Sequence, residues 1–300
     1  MKCEPLDFSI IVIDNGSSDG SVELLADEYS QIRCIALEQN IGFAPAVNLG
    51  IREADTEYVI LLNNDTRVEP DFVDKLEKAL DSDALVFSAS AKMVDMNNPE
   101  VLDGAGDLYC ALGWAFARGK GKQTSTFGLQ QVGVFSACAG AAIYRKDVLM
   151  QIGLFDDNHF AYLEDVDVGY RARISGYKNV YACNAICYHA GSGFSGSRHN
   201  EFKVKLSSRN NVYLVLKNMP ILQLLINAPL LIIGHLIKIL FFATKGLARV
   251  YIKGLVSGVA LYVSPKGHKQ KVKFRISNLR NYFGIQLELW WNIVRRFVNY

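Results

Sequence analysis

Segments typical of β-strands alternate with segments typical of α-helices through the first 80 residues, and this alternation limits the fold more than any other feature of the sequence. Apolar, β-branched runs predict strands at 8–13, 32–37 and 58–62. Helical patterns fit 21–29, 44–53 and 70–81. Alternation at this spacing predicts an α/β fold with parallel pairing and helices on both faces of the sheet. In such folds, ligands bind beyond the carboxyl ends of the strands.

The pattern changes after residue 84 and again near residue 200. Short strands and Gly-rich turns follow residue 84, and we predict a mixed sheet there that frames a second substrate. Helical pattern returns at 145–151 and 164–175, and the chain is mainly helical from residue 202. We therefore predict an α/β domain at 1–200 and a helical region at 201–300.

Charge is distributed very unevenly between these two parts. Residues 1–200 carry 16 basic and 28 acidic side chains, whereas residues 201–300 carry 16 and 2. The basic part predicts a polyanionic partner, which is an anionic lipid surface, a phosphorylated acceptor or nucleic acid. We expect no nucleic acid partner, because no recognisable nucleic-acid-binding module accompanies the charge. The six cysteines form no CxxC pair and are typical of reduced thiols in the cytosol.

The apolar stretch at 221–243 resembles a membrane span but contains four polar side chains: Gln223, Asn227, His235 and Lys238. At 100° per residue, these four fall within about 120° of one another on a helix. A single polar face favours a helix that lies in the membrane interface. The alternatives are a helix that packs over the sheet as part of an ordinary helical subdomain, and a helix that crosses the membrane. A basic cluster at 266–275 adds about 1 kcal/mol of attraction per residue to an anionic surface.

Polar motifs follow the predicted strands, notably Asp14-Asn15-Gly16 and Asn63-Asn64-Asp65. Taken alone, they indicate only turns and helix caps. Together with 40–48, 140–156 and 162–171 they occur in an order that resembles the family 2 glycosyltransferases with a GT-A fold. The resemblance is greatest to the rhamnosyltransferase-like members that build bacterial surface polysaccharides.

The resemblance implies a GT-A nucleotide-sugar-binding fold with a mostly parallel twisted sheet, followed here by a C-terminal helical membrane-associating region. It also implies a donor site in which Asp14 accepts a hydrogen bond from the nucleotide base. The other residues implied at the donor site are Asn15, Gly16, Asn40, Gly42, Asn48, Asn63 and Asn64. Ser192, Gly193 and Arg198 are candidates for closing over the diphosphate.

A divalent metal, Mg²⁺ or Mn²⁺, is implied at Asp65 and His189. Such an ion neutralises the leaving diphosphate in sugar transfer. Without the resemblance, Asn-Asn-Asp is equally consistent with a turn, and a single histidine after an apolar strand is more often a core residue.

Asp165 is the predicted general base that accepts the proton of the attacking hydroxyl. On a helix at 164–175, it shares a face with Val168 and Ala172, which we expect to pack inward. Arg171 lies four residues after Asp167 on the same helix, and this spacing predicts a supporting salt link between the two side chains. The alternative is that the acids only complement the helix dipole. Transfer by a single displacement with this base inverts the anomeric configuration.

These features predict an inverting glycosyltransferase, peripheral to the cytoplasmic face of the cell membrane. Its donor is a nucleoside-diphosphate-sugar, dTDP-rhamnose or a UDP-sugar, and its acceptor is a lipid-linked glycan or polysaccharide. The resemblance also implies a further strand and helix before residue 8. The alternative is therefore a noncatalytic, truncated remnant that binds a membrane or a partner protein.

Overall fold

The structure, a computed structural model, describes residues 8–191 and 199–298, so that Ser192, Gly193 and Arg198 lie outside the described residues. In the described stretches the strands are β1 (Ile11–Asp14), β2 (Arg33–Ala36), β3 (Tyr58–Leu62), β4 (Thr66–Val68), β5 (Val86–Asp95), β6 (Leu102–Gly104), β7 (Asp107–Cys110), β8 (Trp114–Ala117), β9 (Val132–Val134), β10 (Ala141–Arg145) and β11 (Lys178–His189). The α-helices are α1 (Ser21–Glu28), α2 (Phe43–Glu53), α3 (Phe72–Leu80), α4 (Lys146–Ile152), α5 (Glu164–Ile174), α6 (Glu201–Asn218), α7 (Ile221–Ala243), α8 (Ala248–Val263), α9 (Pro265–Lys269) and α10 (Leu279–Phe297).

The predicted alternation of strands and helices is present through α3. The strand predicted at 58–62 is β3, and α1 begins at its predicted residue. The first strand is shorter than predicted and starts at Ile11. These elements follow from local periodicity, because an apolar strand or a helical stripe is set by the side chains of its own segment.

The main sheet is mixed, as predicted for the strands after residue 84, and this corrects the prediction of a mostly parallel sheet. Its strands lie in the order β3-β10-β5-β11-β4, with β6 paired to β5 and β9 paired to β11. Within it only β5 and β11 are parallel, whereas β10 runs antiparallel to both of its neighbours. The sequence between β5 and β10 contains short turns instead of the long helical crossovers that parallel pairing requires.

β1 and β2 form a separate parallel pair. Helix α2 joins this pair to the main sheet. Gly50 of α2 lies so close to β1 that a β-carbon on it would be 3.3 Å from Ile13 Cγ1. The opposite part of α2 contributes Ala44 and Ile51 to a buried cluster with Val59 of β3.

Two apolar layers enclose the main sheet. One lies under α2, α4 and α5, and the other lies between the sheet and α3. A third apolar cluster joins the β7–β8 hairpin and α5 to α6 and α10. The first two layers position the ends of the central strands, and the third connects them to the C-terminal helices.

Helix α6 begins with a capping contact, in which Asn200 Oδ1 accepts a hydrogen bond from Lys203 N at 2.9 Å. Its C-terminal half is deeply buried, and Tyr213 and Leu214 have no exposed surface. The boundary at residue 200 stays a prediction. Helix α6 nevertheless packs against residues on both sides of that boundary.

The polar face of α7 points into the protein. Asn227 is fully buried and exchanges two hydrogen bonds of 2.8 Å with the side-chain amide of Gln286 on α10. Gln223 accepts a hydrogen bond from Tyr170 OH at 3.0 Å. His235 contacts Tyr251 OH of α8 at 2.8 Å. The four polar side chains thus share one face as predicted, and that face contacts protein.

Candidate active site

A cleft of about 410 Å³ lies at the carboxyl end of β3, beside the N-terminus of α5. Polar side chains from separate segments converge on it: Asn63, Asp103, Asp107, Glu164, Asp165 and His189. Because β3, the β6–β8 region, α5 and β11 all contribute, the cleft depends on the complete sheet.

A larger groove of about 640 Å³ lies between β9, α5 and α10. Its main charges, Arg173 and Glu288, form an ion pair with each other. It holds none of the sequence-predicted site residues, whereas Asn63, Asp165 and His189 line the smaller cleft.

Asp165 lies in the first turn of α5 at the edge of the cleft. Its Oδ1 accepts a hydrogen bond from Val166 N at 2.7 Å, and its carboxylate also accepts one from the backbone of Ala139. Burial raises the pKa of Asp165 above its ordinary value, although these N–H groups oppose the shift. Val168 and Ala172 pack inward as predicted.

The backbone before Asp165 is strained. Phe160, Tyr162 and Leu163 have φ values of 61°, 70° and 68°, in the left-handed region that non-glycine residues rarely adopt. Each such residue costs about 1–3 kcal/mol and persists only where surrounding contacts hold it. The strain lies directly before the helix that carries Asp165.

Helix α6 supplies contacts that hold this strained segment. Asn210 is fully buried, and its Nδ2 lies 2.7–2.8 Å from the carbonyl oxygens of His159, Ala161 and Tyr162. Arg209 Nη2 donates to the His159 carbonyl at 2.9 Å. The position of Asp165 thus depends on a helix that follows it in the chain, which the sequence analysis did not anticipate.

Asp107 is a cleft residue that the sequence analysis missed. Its carboxyl group lies beside that of Asp165, and burial together with the negative charge of Asp165 raises the pKa of Asp107 well above its ordinary value. Ligand atoms of Asp107, Asp165 and Cys138 lie within 4.8 Å of one another. Asp107 stands in a Gly-rich hairpin sequence, where no local pattern predicts that it faces α5.

The two predicted metal ligands lie side by side. His189 Nε2 at the end of β11 is 3.3 Å from Asp65 Oδ2, after β3. The other ring nitrogen, Nδ1, is 2.7 Å from Oδ2 of Asp103, a second residue that the sequence analysis missed. Burial favours a higher pKa for Asp103, but the contacts with His189 and Lys120 outweigh it and hold the pKa at about 2. Asp103 therefore fixes the orientation of the imidazole ring.

This pair fits a divalent cation. Asp65 Oδ1 is buried and lacks a hydrogen-bond partner within residues 8–191 and 199–298, whereas Oδ2 faces His189. A carboxylate and an imidazole are suitable ligands for Mn²⁺, and a carboxylate is the usual protein ligand of Mg²⁺. The group of Asp107, Asp165 and Cys138 fits less well, because burial raises the pKa of the Cys138 thiol well above its ordinary value and keeps it protonated.

The turn after β1 is fixed to the segment before α2. Asn15 Oδ1 accepts a hydrogen bond from Ile41 N at 2.9 Å, and Asn15 Nδ2 donates to the Gly42 carbonyl at 3.1 Å. Asp14 is buried, and its Oδ1 accepts from Ser17 N at 3.0 Å. These contacts bring the predicted base-binding residues next to the entrance of α2.

Glycine is required at two positions of this turn. A β-carbon on Gly16 would lie 2.6 Å from Gln39 C, and one on Gly42 would lie 2.6 Å from a ring carbon of Phe160. Both glycines also have positive φ values. Asn40 Oδ1 accepts from Gly42 N at 2.9 Å, so Asn40 contributes to the same turn.

The remaining predicted donor residues have different environments. Asn63 lines the cleft, and Asn64 is exposed beside it. Asn48 is buried: its Nδ2 donates to Phe155 O and Asp157 Oδ1 at 2.7 Å, and its Oδ1 accepts from Phe155 N. The Asn48 amide thus holds two chain segments together instead of facing the cleft.

Asp167 also serves internal contacts. The predicted salt link to Arg171 is present at 2.9 Å, and Asp167 further contacts Lys217 Nζ at 2.8 Å and Asn218 Nδ2 at 2.8 Å. Burial opposes ionisation, but the positive charges of Lys217 and Arg171 dominate and hold the pKa of Asp167 far below its ordinary value. Within the Glu-Asp-x-Asp motif, Asp165 faces the cleft and Asp167 anchors α6.

The mixed sheet with flanking helices, and a cleft at its strand ends that holds an acid pair and a carboxylate–histidine pair, are an arrangement of the GT-A-like α/β class. The sequence matches the family described as glycosyl transferase family 2 over residues 2–153. This protein belongs to that family, and the resemblance drawn from the order of its motifs is confirmed.

Curated relatives agree with this assignment. The N-acetylglucosaminyl-diphospho-decaprenol L-rhamnosyltransferase of Mycobacterium tuberculosis is 26% identical over 211 residues, which cover 60% of this chain and 66% of the relative. The poly-beta-1,6-N-acetyl-D-glucosamine synthase of Staphylococcus aureus is 26% identical over 182 residues, which cover 60% of this chain and 42% of the relative. The matched segment thus spans less than two thirds of each relative.

A solved structure supports the fold. The crystal structure of GalNAc-T7 with UDP, GalNAc and Mn²⁺ aligns with a TM-score of 0.54 at 15% identity. The alignment covers 69% of this chain and 41% of that one. At this identity the comparison establishes the fold only, which is the predicted GT-A-like α/β architecture.

Proposed function

We propose that this protein is a metal-dependent, inverting glycosyltransferase that transfers a sugar from a nucleoside-diphosphate-sugar to a lipid-linked acceptor. One observation carries this proposal: Asp165 and His189 line the same cleft, and Asp65 contacts His189. A base for the acceptor hydroxyl and ligands for a diphosphate-bound cation must be close together in a single-displacement transfer.

Asp165 accepts the proton of the acceptor hydroxyl in this proposal. Its raised pKa makes the carboxylate a stronger base than an exposed aspartate, and hydrogen bonds from Val166 and Ala139 fix its orientation. Attack on the anomeric carbon from the side opposite the diphosphate breaks the bond to the leaving group. The product therefore has the inverted configuration.

Asp65 and His189 would hold Mg²⁺ or Mn²⁺, with Asp103 orienting the imidazole. A bound cation supplies positive charge to the leaving diphosphate. GalNAc-T7, which shares the fold, was solved with UDP and Mn²⁺. Asp14 and the turn formed by Asn15, Gly16, Asn40 and Gly42 would bind the nucleotide, with Asn63 and Asn64 beside the diphosphate.

The donor sugar and acceptor are proposed from the named relatives. A rhamnosyltransferase that acts on a decaprenol-linked diphosphate is among them, which supports dTDP-rhamnose as donor and a lipid-linked glycan as acceptor, with a UDP-sugar as the alternative donor. The five cysteines in the described part are free thiols, which is consistent with a cytoplasmic location.

We place the protein on the membrane through the outer faces of α7, α8 and α10. Helix α7 is long and apolar enough to cross a bilayer, but its inward polar face favours a helix lying in the interface. Large apolar side chains more than 60% exposed occur on all three helices: Ile221, Leu222, Leu225, Leu240, Val256, Val263, Phe283 and Phe297. Exposed Lys245, Arg249 and Lys253 lie near them and favour anionic lipid.

Asp165→Asn tests the catalytic proposal. We expect transfer of radiolabelled sugar to a polyprenyl-diphosphate-linked acceptor to fall at least a thousandfold, with binding of the nucleoside diphosphate and Mn²⁺ retained. The matched control is Asp147→Asn, because Asp147 also accepts from its next backbone N–H at 2.7 Å in a first helical turn but is exposed away from the cleft. Normal turnover by Asp165→Asn would reject the role of base.

Binding measurements test the metal and membrane parts separately. Asp65→Asn and His189→Ala should weaken Mn²⁺-dependent binding of a nucleoside diphosphate, as measured by calorimetry. Leu225→Glu with Leu240→Glu should reduce co-sedimentation with vesicles containing phosphatidylglycerol, whereas Leu129→Glu, an exposed leucine outside these three helices, should not. Vesicle binding without nucleotide binding in the unaltered protein would support the noncatalytic alternative instead.

A further inference from the structure

We infer that Asp107 is a positioning residue for Asp165: its protonated carboxyl donates a hydrogen bond that orients the carboxylate of the proposed base. This inference rests on the proposed function and adds a residue that the family motifs of this sequence do not contain. It concerns which of two paired carboxyls holds the proton and what that proton does.

The geometry requires one shared proton. A carboxyl oxygen of Asp107 and one of Asp165 lie within 4.8 Å of each other in a partly buried cleft, and because two negative charges this close repel each other strongly there, one of the two carboxyls carries a proton. Asp165 already accepts hydrogen bonds from the backbone N–H groups of Val166 and Ala139, which stabilise its negative charge. The proton therefore resides on Asp107.

The surrounding charges favour the same arrangement. The titratable or charged groups that face the pair come from α5, β6, the β8–β9 connection, the segment before β10 and β10 itself: Glu164, Asp103, Lys120, Cys138 and Tyr144. Lys120 is paired with Asp103, and burial keeps Cys138 and Tyr144 neutral. A second negative charge at Asp107 is thus poorly compensated.

The backbone holds Asp107 rigidly against α5. Asp107 N donates to Ser136 O at 3.0 Å, and Asp107 O accepts from Phe135 N at 2.9 Å. Gly169 of α5 lies so close to this segment that a β-carbon on it would be 2.5 Å from Ser136 Cβ. Asp107 and Asp165 are therefore fixed relative to each other by main-chain contacts.

The other end of the β7–β8 hairpin is held by the C-terminal helices. Ala111 N donates to Leu289 O of α10 at 3.0 Å, and Asn292 Nδ2 donates to Tyr109 O at 2.9 Å. Asn211 Nδ2 of α6 donates to Gly113 O at 2.6 Å. The element that carries Asp107 is thus fixed at both ends, as a positioning residue requires.

The inference predicts a distinctive pH dependence. Transfer requires ionised Asp165, so the rate rises as pH increases through the first apparent pKa of the pair. Removing the donor with Asp107→Leu removes a hydrogen bond that stabilises the ionised base. The acid limb of the profile should therefore move up by about 1–2 pH units. Asp107→Asn keeps a neutral donor, and its acid limb should remain near that of the unaltered protein.

The test is the pH profile of kcat, with the full chain, a nucleotide-sugar and a lipid-linked acceptor. We expect Asp107→Leu to lower kcat at neutral pH about tenfold or more with the donor KM unchanged, and Asp107→Asn to recover most of it. The control is Asp74→Asn, because Asp74 is exposed on α3. Nucleoside diphosphate binding by each variant shows that it is folded.

Two outcomes would overturn the inference. One is an acid limb that does not move in folded Asp107→Leu. The other is equal impairment of both variants without a change in their profiles, which indicates a packing role. If Asp107→Leu does not fold, Asp107→Asn decides alone. In the unaltered protein, ionisation of Asp107 at high pH should lower kcat, and Asp107→Asn should keep the acid limb but lose this fall at high pH. An unchanged fall in Asp107→Asn would reject the inference. Inactivity of the unaltered protein would instead reject the proposed function.

Discussion

Lys217 connects the C-terminal helices to the segment around the cleft, and its removal gives the clearest test of how this structure is stabilised. Its ammonium group is 1% exposed and lies 2.7 Å from Asp156 Oδ2 and 2.8 Å from Asp167 Oδ2. Lys217→Met keeps most of the side-chain volume but leaves two buried carboxylates without their shared cation.

The expected cost follows from the contacts that remain. Asp156 keeps a hydrogen bond from Tyr213 OH at 2.8 Å, and Asp167 keeps Arg171 at 2.9 Å. Breaking one buried ion pair by removing a partner costs about 3–5 kcal/mol. We expect the free energy of unfolding to fall by about this amount, which lowers the folded-to-unfolded ratio at least a hundredfold.

The pH dependence has a definite sign. Burial opposes ionisation of Asp156 and Asp167, but the charge of Lys217 outweighs it, and both have lowered pKa values. Carboxyls of this kind contribute stability above their unfolded pKa of about 4, and the contribution is lost as pH falls through the folded pKa. In Lys217→Met both folded pKa values rise, so the variant binds protons at a higher pH than the unaltered protein, and the difference in stability between the two proteins should be smaller at pH 4 than at pH 7.

Urea denaturation followed by circular dichroism at pH 7 and at pH 4 measures this difference. Lys205→Met is the matched control, because Lys205 is on the same helix and exposed. A loss for Lys217→Met below about 1 kcal/mol at pH 7, or a loss equal to that of Lys205→Met, would refute the reasoning.

Three further substitutions test separate parts of the fold. Asn48→Leu leaves buried backbone groups unpaired and should cost about 2–4 kcal/mol in urea denaturation. Gly42 has a φ of 99°, and Gly42→Ala places a β-carbon 2.6 Å from the Phe160 ring, so this substitution should lower the melting temperature. Its control is Gly284→Ala on α10, where a β-carbon meets no atom within 4 Å, and this substitution should raise the melting temperature. Gly234→Val puts a β-carbon 2.0 Å from a carbonyl of the β7–β8 turn, and thermal denaturation should show a large loss.

The C-terminal third contributes to the cleft even though it supplies no proposed catalytic group. Helix α6 holds the strained segment before Asp165 through Asn210, and it holds the β7–β8 hairpin through Asn211. The residues that face the proposed membrane surface are on α7, α8 and α10, which pack against these same elements. The segment that positions the proposed base is therefore in contact with the helices that we propose face the membrane.

The strand and helix alternation of the first 80 residues, the family, and the positions of Asp165, Asp65 and His189 at element ends are all predictable from the sequence alone. These features are local: periodicity depends on each segment's own side chains, and polar residues after an apolar strand fall at the strand's end. The polar face of α7 is likewise predicted by the spacing of its polar residues on a helix.

Other features require the three-dimensional arrangement: the strand directions in the main sheet, the proximity of Asp107 to Asp165, the contact of Asp103 with His189 and the burial of Asn48. The same arrangement places the polar face of α7 against Gln286 and Tyr170 instead of water. Each of these depends on groups far apart in the chain. Their proximity is set by the packing of whole elements, and no local spacing of residues encodes it.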